Sequence, residues 1–70
     1  LKNHPNQKPE TRTAYRLFGE SVKSFRALSK LKLATFAQMA NVMPSTLSNI
    51  ERGITIPTVE TMLNITKAME

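Results

Sequence analysis

The apolar residues of this chain recur at helical intervals. Phe18, Val22 and Phe25 follow one another at steps of four and three, while Glu20, Lys23, Ser24 and Lys30 fall elsewhere. Residues so spaced share one face of a helix, which predicts a first and longest helix over residues 14–30. Leu17 and Leu28 lie off the stripe, available to the preceding segment or to a partner. Arg26 sits beside the stripe, where a charge calls for a counter-charge. Phe36 and Ala40 are one turn apart and Leu47 and Ile50 are three apart, so with Val42 between them they can face one core. Met39 is expected to join Phe36 and Ala40 there, which needs two turns of helix. Val59, Met62, Leu63, Ile65 and Met69 form a final apolar face that closes the bundle. No stretch alternates as a strand would. The fold class is all-α, a small bundle of four to five helices.

The breaks between these stripes carry their own chemistry. Asn41 stands at the corner after Ala40, and asparagine tolerates a left-handed backbone better than other residues with a side chain. Pro44 suits the first turn of a helix and no later position, so the next helix runs from about 44 to 52. Gly53 ends it as a C-cap. Thr58 is an N-cap, with Glu60 in the first turn of the last helix. The start of the second helix has two readings. Thr35 and Gln38 have capping-box spacing and would begin it at Phe36; a two-turn helix would begin it near Leu33. Small Ala37, the corner at Asn41 and the apolar stripes on either side make a helix-turn-helix pattern.

Seventy residues make one domain, near the lower size limit for independent folding. The formal charge of +5 points to a polyanionic partner. There is no cysteine, which fits a reducing cytoplasm, and the single histidine, His4, lies in a polar segment, so neither a metal nor another cofactor is expected. No apolar run approaches the roughly 20 residues that span a bilayer, so no membrane partner is expected. Residues 1–13 (LKNHPNQKPETRT) are polar, with two prolines, and read as a flexible basic arm or linker preceding a domain over 14–70. Lys2, Lys8 and Arg12 can follow phosphates if this segment touches a nucleic acid. The chain begins at Leu1 and ends within a helical pattern at Glu70, which reads as a piece of something longer.

From about Phe18 to Met69 the chain resembles the phage-repressor (Cro/XRE) class of helix-turn-helix domains, most specifically in STLSNIERG at residues 45–53 and PTVETMLNITKAM at residues 57–69. The resemblance implies a lambda-repressor-like fold with the helix at about 44–52 inserted in the major groove of double-stranded DNA. It implies an internal ion pair between Arg26 and Glu51. Pro44, Ser45 and Asn49 fall at the family's base-reading positions. Asn49 can pair bidentately with adenine, Ser45 and Ser48 can meet bases or phosphates, and Pro44 can touch a thymine methyl. Arg52 and Thr55 are candidates for phosphate contacts. Leu33 departs from the family, which commonly has a phosphate-contacting glutamine there. Lys32 and Met43 are poor caps for the two motif helices.

The function expected on this basis is a sequence-specific transcriptional regulator of bacterial or phage type, a repressor acting as a homodimer on a two-fold operator. One alternative is an antitoxin that binds a toxin and its own promoter. Another is a module with little DNA specificity that docks a protein partner through Leu17, Leu28 or Leu33. An enzyme is not expected: there is no Gly-rich phosphate loop, nucleophile–base pair, or carboxylate pair near a histidine.

Overall fold

A computed structural model describes residues 9–70 as four helices: α1 Pro9–Leu28, α2 Leu33–Met39, α3 Pro44–Glu51 and α4 Val59–Ala68. The expectation of a longest helix over 14–30 and an arm over 1–13 is corrected at its start. Pro9 occupies the first helical position, where its missing N–H costs nothing, and Glu10 complements the positive end of the helix dipole. Once that turn exists, propagation through Thr11, Arg12 and Thr13 proceeds without a breaker. Arg12 is therefore a helix residue, while Lys2, His4 and Lys8 lie outside the described residues. The second helix starts at Leu33, so Thr35 falls in its first turn instead of capping it.

α3 packs against both α1 and α2. Val22, Phe36, Ala37, Ala40, Leu47, Ile50 and Ile65 are fully or almost fully buried. Phe18, Phe25, Leu31, Leu33, Val42, Ala68 and Met69 pack around them. The Phe25 and Phe36 rings meet with centroids 5.7 Å apart at 45°, tying α1 to α2 with a tilted aromatic pair. Several expectations for the core do not hold. Met39 is half exposed, Val59 and Leu63 face solvent, and Leu33 is partly buried against the core instead of standing free. Helical spacing identifies a face but not whether another element covers it. The ten-residue α4 reaches the core chiefly through Ile65, with Ala68 and Met69 beside it.

α1, α2 and α3 all end in the same way. Beyond α1, Lys30 N–H donates to Ala27 O at 3.0 Å and Leu31 N–H to Arg26 O at 3.0 Å. Beyond α2, Asn41 N–H donates to Gln38 O at 3.1 Å and Val42 N–H to Ala37 O at 3.0 Å. Beyond α3, Gly53 N–H donates to Ile50 O at 3.0 Å and Ile54 N–H to Asn49 O at 2.9 Å. Each is a Schellman cap, which satisfies the last carbonyls by sending one residue into the left-handed region. Those residues are Lys30, Asn41 and Gly53, with φ of 58°, 56° and 73°. Leu31 and Val42, the residues after the left-handed position, fold back onto the core.

Lysine gains nothing from the left-handed backbone, unlike glycine and asparagine. Lys30→Gly is therefore expected to raise the unfolding free energy by about 0.5–1 kcal/mol, the relieved strain less the added freedom of the unfolded chain. Urea denaturation checks this, and an unchanged or lowered midpoint would contradict the strained cap.

Candidate nucleic-acid interface

α2 and α3, joined by the corner at residues 40–43, present a helix whose two sides have opposite character. Leu47, Ile50 and Glu51 are buried. Pro44 and Ser45 are exposed and Ser48 and Asn49 are half-buried. At about 100° per residue, Ser45, Asn49 and Arg52 lie roughly opposite Leu47. Met43 supplies no side-chain cap and Pro44 has no N–H, and both are exposed, so the outer start of α3 combines two apolar side chains with backbone amides and the Ser45 hydroxyl. Neither Ser45 nor Ser48 engages its hydroxyl with another described residue. The described surface has no pocket. Exposed Pro44, Ser45 and Arg52 leave the outward side of α3 open to solvent along its length, a ridge suited to a groove in a partner.

Asn49 is held in place. Arg52 Nη2 donates to Asn49 Oδ1 at 2.9 Å, across the one-turn spacing at which helix side chains meet. A carboxamide oxygen has a second lone pair and the NH₂ group keeps both donors, so the Asn49 side chain is oriented by Arg52 and can still donate and accept. The tie between Asn49 and Arg52 was not among the sequence-based expectations; their three-residue separation on a helix face was the available signal. Arg52, at the C-cap of α3, and Thr55, in the loop that follows, are both exposed.

The orientation of α3 is set from behind. Arg26 Nε donates to Glu51 Oε2 at 2.7 Å and Arg26 Nη2 to Glu51 Oε1 at 3.0 Å, a bidentate pair from α1 to the last residue of α3. Arg26 Nη1 also donates to the Leu31 carbonyl at 2.9 Å. One guanidinium thus fastens α1, the α1–α2 connection and α3, a use for which its planar fork is suited. The hydrogen bonds with Glu51 hold the Arg26 guanidinium above its ordinary value, opposed by desolvation and helped by the carboxylate's charge. A raised basic group stabilises the fold below its unfolded-state value and stops doing so only as pH climbs through the folded value. That range is beyond any ordinary working pH, so Arg26 stays charged at every such pH.

A second contact sits beside this one. Gly19, buried on α1, lies so close to α3 that a Cβ there would collide with the Ile50 carbonyl oxygen and stand 3.1 Å from its carbon. Gly53, just beyond α3, packs over the Arg16 side chain, where a Cβ would find ordinary contact at 3.5 Å. Sequence reasoning passed over Gly19. The signal was present, because an isolated glycine inside a helical pattern usually has a packing reason.

A family model described as helix-turn-helix matches residues 22–70. No curated protein and no solved structure matches the chain.

Proposed function

Because the chain belongs to the Cro/XRE-type helix-turn-helix family of DNA-binding transcription regulators, we propose that it is a sequence-specific repressor that binds a two-fold operator as a homodimer. α3 enters the major groove. Asn49 pairs with adenine, while Ser45, Ser48 and Pro44 contact neighbouring base edges or phosphates. Arg52 and Thr55 meet the backbone. The observation that carries this reading is the ordered carboxamide of Asn49 on an otherwise small, outward ridge, with its oxygen tied to Arg52 and its amide donors open. Recognition helices in dimers of this fold lie about 34 Å apart, one turn of DNA. No helix among the described residues is long and apolar enough to cross a membrane.

Docking of a protein through Leu33 loses its basis, since that side chain packs against the core. Leu17 and Leu28 remain exposed. Salt dependence separates the two readings, because phosphate contacts release counterions and weaken steeply as salt rises.

Selection of bound sequences from a random duplex pool tests the proposal, with an inverted repeat as the expected result. Asn49→Ala is expected to lose about 1–3 kcal/mol of discrimination at one base pair of each half-site. Arg52→Ala is expected to weaken binding to every sequence, lowering the salt slope by about one per subunit, and, with the tie to Asn49 gone, to soften the preference at the base pair that Asn49 reads. Enrichment of no sequence, or an Asn49→Ala variant with unaltered preference, would overturn it.

A further inference from the structure

α4 carries an exposed apolar strip that none of the described residues covers. Val59 and Leu63, one turn apart, are 69% and 62% exposed. Ile65 turns the opposite side of the helix into the core. Beside the strip stand Glu60 and Lys67, both exposed. Neither has an ion-pair partner among the described residues.

The placing of these four residues is self-complementary. Glu60 and Lys67 are seven residues apart, which is about 20° around the helix and about 10.5 Å along it. They therefore share one flank, one near each end of α4, while Val59 lies on the other flank and Leu63 between them. A two-fold axis across the middle of α4 reverses the helix direction and leaves the flank unchanged. It sets Glu60 of each copy opposite Lys67 of the other, forming two equivalent pairs, and brings the two Leu63 side chains together at the centre. Like charges directed at one another would forbid such an arrangement; here every facing charge is opposite.

We infer that α4 is the seam of a homodimer, packed antiparallel on the α4 of a second copy, with Leu63 at its centre and reciprocal Glu60–Lys67 pairs at its edges. A two-fold interface uses the same patch on both subunits, and this patch meets that requirement. One ten-residue helix per subunit is a small contact beside the roughly 800 Å² per partner of a standard interface. Association is therefore weak in free solution. The inference deepens the reading of a dimeric DNA-binding domain and rests on it for the two-fold operator alone.

Sedimentation equilibrium of the 70-residue chain tests it, with circular dichroism to establish that each variant is folded. The mass is expected to rise with concentration from 7.9 kDa toward twice that value. Leu63→Asp, at an exposed site, is expected to hold it at the monomer value. Glu60→Lys and Lys67→Glu each turn both edge pairs repulsive, so either variant alone is expected to associate at least several-fold more weakly. Mixing the two is expected to restore association, because in the mixed dimer every facing pair is again of opposite sign. A mass fixed at the monomer value up to millimolar concentration overturns the inference. So does self-association indifferent to Leu63→Asp, or a mixture no stronger than its components. Operator selection that still depends on Asn49 in either case leaves the DNA-binding reading standing, and loss of that dependence with dimerisation intact does the reverse.

Discussion

Gly19→Ala is expected to destabilise the domain by about 3 kcal/mol or more, at the upper end of the usual cost of overpacking. The residue it meets is the reason. Overpacking is mild when the obstructing atom ends a flexible side chain, but here it is the backbone carbonyl of Ile50, which also accepts the Gly53 N–H of the α3 cap. α3 cannot yield at that oxygen without shifting as a whole or breaking its cap. The two helices must then separate, and Leu47 and Ile50 lose contact with α1. In an isolated α1 peptide the same change has the opposite sign, because alanine is the better helix former by about 1 kcal/mol. Urea denaturation of the domain, set beside circular dichroism of the peptide, checks both directions. An unaltered unfolding midpoint would mean that α1 and α3 do not approach at Gly19.

Removing the two partners of the ion pair is expected to have unequal consequences. Arg26→Ala leaves the Glu51 carboxylate, 5% exposed in the intact pair, without its counter-charge. It also removes the donor to the Leu31 carbonyl. A cost of about 3 kcal/mol follows, typical of an uncompensated buried charge. Glu51→Ala leaves a guanidinium that is 20% exposed and still bonded to Leu31, so its cost is expected to be smaller, about 1–2 kcal/mol. The double variant is expected to lose less than the sum of the two, since the orphaned charge disappears with its partner. Arg26→Lys is expected to recover only part of the loss, because an ammonium cannot bond both carboxylate oxygens and the carbonyl in the same plane. Equal costs for the two single variants, or strict additivity, would remove the argument. Since Glu51 is the last residue of α3, the pair also governs how the outward ridge is presented. The better-folded member of the series, Glu51→Ala, is therefore expected to bind DNA more weakly at temperatures where it remains folded.

Local chemistry accounts for what could be read along the chain. The corner at Asn41, the start at Pro44, the end at Gly53 and the Thr58 cap each depend on one residue's backbone preference or on a side chain within its own turn. Thr58 Oγ1 accepts from Thr61 N–H at 3.1 Å, a contact spanning three residues that owes nothing to the rest of the fold. The same locality explains the error at the N-terminus. Two prolines in a polar stretch looked like an arm, yet a proline also opens helices, and Pro9 opens α1.

Periodicity set Val22, Phe36, Ala40, Leu47, Ile50 and Ile65 on apolar stripes, and all of them are buried. It did not suffice for Met39, Val59 and Leu63, which look as apolar along the chain as their buried neighbours. Whether such a residue is covered depends on where another helix ends. The fit of Gly19 beneath the Ile50 carbonyl and the division of Arg26 between Glu51 and Leu31 likewise join segments far apart in sequence. Each exists only at one spacing and crossing of α1 and α3, a quantity that no single residue encodes. The ordered chain of helices and caps was thus written in neighbours three or four residues apart; the spacing between helices, and with it the outward ridge of α3 and the bare strip of α4, arose only when the whole chain packed.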